Sequence, residues 1–112
     1  MVTSVGAPHR GEIWLAALDP TIGSEIQKTR PCVVVSPPEM NQHLRTLIVA
    51  PMTTGSRPAP FRVPISFQRK NGLILLDQLR TLDRQRLVQR LGAVKAPTLA
   101  QVLANLQAMF AI

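Results

Sequence analysis

Two apolar runs carry chemically capable side chains at their ends. Glu25, Lys28 and Arg30 come just before Val33-Val34-Val35, and Thr53 and Thr54 come just after Leu47-Ile48-Val49-Ala50. If both runs are strands, these groups sit where small β domains place functional residues, in the loops at strand ends. A carboxylate, a guanidinium and a hydroxyl together suit phosphoryl chemistry. Arginine clamps phosphate through two parallel N–H donors, a hydroxyl can hold another oxygen, and a carboxylate can take up a proton. The same spacing also allows a plainer arrangement, a Glu25–Arg30 surface ion pair worth under about 1 kcal/mol. Spacing alone leaves both open.

Other reactive residue types offer less. Cys32 lies inside a β-branched run, where a buried inert thiol is expected rather than a nucleophile. As the single cysteine it excludes an intrachain disulfide, and with only His9 and His43 beside it the ligands for a structural zinc are too few. His43 falls on a short polar stretch and reads as a surface histidine. No nucleotide-binding glycine fingerprint and no glycine-rich loop leading to Lys-Ser/Thr occurs. None of these patterns calls for a bound metal or cofactor.

Charge narrows the partner. The chain has 112 residues, with 13 Lys+Arg against 6 Asp+Glu and a net charge of +7. Between positions 28 and 70 the cations Lys28, Arg30, Arg45, Arg57, Arg62, Arg69 and Lys70 face one acid, Glu39, and no charged side chain follows Lys95. Clustering of that kind points to a polyanion, most often nucleic acid. Scarce aromatics (one Trp, three Phe, no Tyr) argue against a broad stacking platform. Hydrophobic residues at 46% exclude disorder, and the length fits one domain. No apolar run approaches the roughly 20 residues a membrane helix needs, and no secretory leader opens the chain, so a cytoplasmic protein is expected.

These groups must be held by a framework. Residues 1–9 read as a flexible lead-in and 10–112 as one domain. Strands are expected at 11–18, 31–36, 45–50, 61–65, 73–76 running on into a bend over 78–82, and 87–94, divided by Gly/Pro loops. Pro37-Pro38 ends the second strand and permits one helical turn over 38–43. Pro51 should end the third strand at an edge or bulge, and Asn71-Gly72 carries a strong hairpin-turn signal. Leu99, Val102, Leu103, Leu106 and Phe110 repeat with the spacing of one helical face, with Thr98 as N-cap, so a C-terminal helix of about three turns is expected. The fold class is mainly β (α+β): a small SH3-like curled barrel of five to seven strands with a C-terminal helix. That helix is apolar or Ala around most of its surface, more than so small a barrel is expected to cover, so part of it should face another chain, as in a homodimer, unless the sheet swallows it whole.

Arg10-Gly11-Glu12-Ile13-Trp14, Leu18-Asp19-Pro20, Gly23-Ser24-Glu25 and Arg30-Pro31-Cys32-Val33-Val34-Val35-Ser36 form an ordered set. Val49-Ala50-Pro51-Met52-Thr53 and Leu76-Asp77-Gln78-Leu79-Arg80-Thr81-Leu82-Asp83 continue it. In this the chain resembles the MazF/PemK family of toxin endoribonucleases, from about Arg10 into the last helix. The resemblance implies a plasmid-maintenance-toxin barrel (CcdB/MazF-like) that dimerises. It also implies metal-independent cleavage of single-stranded RNA and neutralisation by a cognate acidic antitoxin of the MazE/PemI kind. The family's catalytic arginine and threonine fall on Arg30 and Thr53, the glutamate of its Gly-Ser-Glu loop on Glu25, and its RNA-contacting acid–Gln pair on Asp77 and Gln78. Two departures stand out: Leu75 occupies a place where some members carry an active-site arginine, and Ile26-Gln27-Lys28-Thr29 replaces a loop that is often small or glycine-rich.

Metal-free cleavage of this kind has the ribose 2′-oxygen attack the adjacent phosphorus, leaving a 2′,3′-cyclic phosphate and a 5′-hydroxyl. Arginine stays protonated at working pH, which assigns Arg30 to the phosphorane charge, Glu25 to the 2′ proton and Thr53 to a phosphate oxygen. Ser24, Gln27, Lys28, Arg57, Asp77, Gln78 and Arg80 are the candidates for contacting unstacked bases and backbone. Two other classes remain at this stage: a CcdB-like gyrase poison without nuclease activity, and a non-enzymatic nucleic-acid-binding domain.

Overall fold

In a computed structural model, residues 6–112 are described. Their elements follow as β1 (Glu12–Ala17), β2 (Thr29–Val34), α1 (Pro38–His43), β3 (Thr46–Thr53), β4 (Arg62–Phe67), β5 (Lys70–Leu75), β6 (Arg80–Asp83), β7 (Leu87–Ala93) and α2 (Ala96–Met109). Every strand pairing is antiparallel. The order is β4-β5-β3-β2-β1-β7, with β6 also on β3. The seven strands and C-terminal helix match the expected class. Register shifts in β1 against β7, between Ile13 and Trp14 and between Leu15 and Ala16, help curl the sheet. A methyl built on Gly92 of β7 would meet the Phe67 ring of β4 at 3.6 Å, so the two edge strands approach through side chains.

The β-branched run is buried on both faces. Val33 and Val35 join Ile13, Ala50, Met52, Val63, Ile74, Leu76 and Val102 in one apolar cluster. The alternate residues Cys32 and Val34 join Ala16, Leu18, Leu47, Val49 and Leu82 in the other. Alternation along a strand sends successive side chains to opposite faces, which is why a strand buried on both sides reads as an unbroken apolar run. Burial pushes the Cys32 thiol up to about 12 despite the nearby Arg80 cation, leaving it an inert core group.

Three local expectations are corrected. The third strand does not stop at Pro51 but runs to Thr53, with Pro51 buried and opposite Cys32. On its other side β3 pairs β6 up to Val49 and β5 from Met52, so the missing proline N–H falls between two partners. The β4–β5 turn lies at Gln68 and Arg69, both with positive φ, while Asn71 and Gly72 sit inside β5. The last helix starts at Ala96 with Lys95 as N-cap and Pro97 in its first turn, rather than with a Thr98 cap.

The first five residues of the expected lead-in, 1–9, lie outside the described residues. Its end is tied down: Asn41 Nδ2 donates to the Pro8 carbonyl and His9 N–H to Glu12 Oε1. Asn41 is itself fully buried, exchanging hydrogen bonds with Ser36 and fixing α1 to the sheet. Val102 of α2 is buried against the first cluster, but Phe110 just beyond the helix is 72% exposed. The helix is therefore only partly swallowed by the sheet. No described helix is long and apolar enough to cross a membrane.

Candidate active site

Arg30 is the second residue of β2 and Thr53 the last of β3. The pairs Val34–Val49, Val33–Ala50 and Cys32–Pro51 step along the two strands. Arg30 and Thr53 lie two residues beyond the last of these pairs, at the same end of the two strands. Both line a hollow of about 210 Å3 whose remaining walls are Pro31, Met52, Thr54, Ile65, Phe67, Gln68, Lys70 and Gly72. Local bonds aim the two functional groups. Arg30 Nε donates to the Gln27 carbonyl at 3.2 Å, and among the described residues its two terminal nitrogens have no protein partner. Thr53 Oγ1 accepts from Gly55 N–H at 3.1 Å, so its O–H remains to donate. One anchored guanidinium fork and one oriented hydroxyl at the same hollow can receive a phosphate group.

Glu25 lines a different hollow, of about 640 Å3, with Ile22, Ser24, Ile26, Asp77, Gln78, Leu79, Arg80 and Thr81. The carboxylate, guanidinium and hydroxyl that the sequence offered as one group are therefore not brought together: Arg30 and Thr53 share a hollow and Glu25 lies outside it. The reason is local bonding in the 18–28 loop. Glu25 Oε1 accepts from Ile22 N–H at 3.0 Å, and Ile26 N–H donates to Gln78 Oε1 at 2.9 Å. Leu18 N–H also bonds the Lys28 carbonyl at 3.0 Å, while Asp19 holds Lys28 N–H. Residues 26 and 27 link the hollows, Ile26 tied to Gln78 and Gln27 to Arg30.

The expected RNA-contacting residues divide accordingly. Ser24, Asp77, Gln78 and Arg80 share the larger hollow with Glu25. Gln27, Lys28 and Arg57 are exposed but line neither. Asp77 is engaged by Arg62 through Nε–Oδ1 at 3.1 Å and Nη2–Oδ2 at 3.0 Å, while Arg62 Nη1 donates to the Arg57 carbonyl. The Asp77 bonds raise the Arg62 pKa still further above its ordinary value. Arg80 Nη1 donates to the Leu18 carbonyl. Leu75, where related sequences can carry arginine, is buried and directs no polar group at either hollow. The sequence reading did not pick out Ile65, Phe67, Gln68 and Lys70 as walls of the Arg30–Thr53 hollow. They arrive from the β4–β5 hairpin, whose turn position the Asn-Gly signal misplaced.

Residues 9–110 match the family described as the PemK-like, MazF-like toxin of type II toxin-antitoxin system. The chain belongs to this family. It is 40% identical over 104 residues to the endoribonuclease PemK of Escherichia coli, covering 88% of this chain and 78% of PemK. The crystal structure of MazF from Deinococcus radiodurans superposes with a TM-score of 0.82 at 28% identity, covering 95% of this chain and 98% of that one. A MazE–MazF complex from the same organism gives 0.76 at 25% identity, covering 95% and 97%. The family also ranks a CcdB-like gyrase poison below a nuclease, since the named relatives are endoribonucleases.

Proposed function

We propose that this toxin of a type II toxin–antitoxin system is a metal-independent endoribonuclease acting on single-stranded RNA. The reading rests on one observation above all: Arg30 and Thr53 flank the same hollow with a guanidinium fork and a hydroxyl proton that have no partner among the described residues. The 2′-oxygen forms a bond to phosphorus as the bond to the 5′-oxygen breaks. The products are a 2′,3′-cyclic phosphate and a 5′-hydroxyl. Arg30 meets the charge of the phosphorane, a role in which one well-placed donor is worth about 3–4 kcal/mol, and delivers a proton to the departing 5′-oxygen that solvent restores. Thr53 holds a second phosphate oxygen.

Glu25 takes the 2′ proton in this reading. Of the two carboxylates in the larger hollow, Asp77 is committed to Arg62, whereas Glu25 holds only a loop N–H and is exposed. The RNA strand must then span both hollows, with Glu25 closing on the 2′-hydroxyl when substrate is bound; catalytic hydrogen bonds commonly tighten only in such complexes. Ser24, Gln78 and Arg80 meet the neighbouring base, and Gln27, Lys28 and Arg57 the backbone outside the hollows.

The exposed Phe110 and the apolar hollow between it, Leu106, Met40 and Ile48 supply a face for a second copy, giving a homodimer. A MazE/PemI-like antitoxin, acidic enough to imitate the polyanion, would cover the basic hollows, as MazE accompanies MazF in the D. radiodurans complex. The setting is the cytoplasm, where RNA is available. Long RNA incubated with the protein in EDTA tests this. Discrete new 5′-hydroxyl ends are expected, and a 2′-deoxy substitution at the cleaved nucleotide should abolish them. Intact RNA, or equal cutting of the deoxy substrate, refutes the mechanism.

A further inference from the structure

Gly72 is not explained by a turn, since the hairpin reverses at Gln68 and Arg69. Nor is it explained by backbone conformation, because its φ lies outside the left-handed range that favours glycine. What it has is a neighbour. A Cβ built on Gly72 lies 2.7 Å from the Thr53 carbonyl oxygen, 3.3 Å from the Thr53 carbonyl carbon and 3.6 Å from Thr54 Cγ2. Ordinary carbon contacts sit near 3.5–4.0 Å, and the two closest atoms are backbone, which no rotamer change can move aside. Leu73, the next residue, pairs directly with Thr53. Gly72 also lines the hollow shared by Arg30 and Thr53. Glycine inside a strand often marks such close backbone approach.

We infer that Gly72 is a positioning residue for catalysis: by lacking a side chain it lets β5 seat against the Thr53 peptide and so holds the Thr53 hydroxyl at the Arg30 hollow. This rests on the reading of Thr53 as a phosphate-holding residue. An added methyl would push the end of β3 away, disturbing the Thr53–Gly55 bond and the alignment with Arg30. Misplacement of reacting groups by about 1 Å can cost on the order of 100-fold in rate.

The test is a double-mutant cycle on cleavage of a short RNA, read as kcat and KM separately. Gly72→Ala should lower kcat by about tenfold or more, with KM within about threefold of wild type. In a Thr53→Ala background the same change should cost less than about threefold, since the group it misplaces is already gone. Asn71→Ala, the exposed neighbour in β5, should keep wild-type kcat. Wild-type kcat in Gly72→Ala overturns the inference. So does an equal loss in both backgrounds, an equal loss in Asn71→Ala, or a Gly72→Ala protein that does not fold, each of which makes Gly72 a support of the whole hairpin. Wild-type kcat in Thr53→Ala is a separate failure, removing the Thr53 reading and this inference with it.

Discussion

Arg30 and Thr53 belong to neighbouring strands, two register steps beyond the Cys32–Pro51 pair, and face the same hollow. Neither group is consumed by its anchor. Among the described residues Arg30 spends only Nε, on the Gln27 carbonyl, and the Thr53 oxygen accepts from Gly55 while its proton stays available. The candidate site thus lies where β2 begins and β3 ends, with Arg30 and Thr53 each steadied by one local backbone bond.

Arg30 separates charge from geometry. Arg30→Ala should lower kcat at least about 100-fold, the usual cost of losing a donor to developing negative charge. Arg30→Lys retains the charge but not the planar fork, so it should recover only part of that loss. Single-turnover cleavage of an end-labelled RNA measures both. A lysine variant as fast as wild type would show that charge alone suffices.

Thr53 tests the hydroxyl. Thr53→Ser keeps the donor and should stay within about threefold of wild type. Thr53→Ala should lose about 10- to 100-fold, in line with a hydrogen bond to a charged oxygen worth about 1.5–3 kcal/mol. Equal rates for the two variants would remove the hydroxyl from the mechanism.

Acid sensitivity should be visible at Glu12. Burial works to raise this carboxyl's pKa, but hydrogen bonds from His9 N–H, the Trp14 indole and Arg90, with the Arg90 charge, outweigh it and hold it below its ordinary 4.5. A depressed folded-state value means the stabilisation is complete above the unfolded-state pKa and is lost as pH falls through the folded one. Trp14 is the single tryptophan, and its Nε1 donates to Glu12 Oε1 at 2.9 Å. Its fluorescence should therefore change below about pH 4.5, together with falling thermal stability. Glu12→Gln should already be less stable at pH 7 and should lose the part of that acid response due to Glu12. An unchanged titration in the variant would assign the response elsewhere.

How much of this was readable beforehand depended on whether a signal was local. The run Cys32-Val33-Val34-Val35, the 38–43 turn and the repeat from Leu99 to Leu106 carry their own periodicity, and the corresponding elements stand. Pro51 and Asn71-Gly72 misled because their meaning lies in what passes beside them. Pro51 is tolerated between two partner strands, and Gly72 makes room for the Thr53 backbone. The juxtaposition of Arg30 and Thr53 needed only two adjacent antiparallel strands. The separate hollow of Glu25 was not legible, because it depends on Gln78, 52 residues away, holding Ile26. Phe67 and Lys70 reach the site only through a turn whose position the dipeptide rule misplaced.

Glu25 is the sharpest remaining discriminator because its hollow and its assigned role pull in different directions. As the base it should be irreplaceable in rate. Glu25→Gln keeps the size and the acceptor for Ile22 N–H, so the loop should hold its shape while kcat falls by about 100-fold and KM changes little, general base catalysis typically contributing 10²–10⁴. A group that only recognises a base in the hollow shared with Ser24, Gln78 and Arg80 would behave otherwise. The variant would then cut at nearly wild-type kcat on its best substrate but at altered sequences or with raised KM. Mapping 5′-hydroxyl ends on one long RNA, beside kcat and KM on a fixed oligonucleotide, distinguishes these. Retained kcat with a shifted cleavage pattern would move Glu25 from proton transfer to sequence choice and leave Arg30 and Thr53 as the chemical pair.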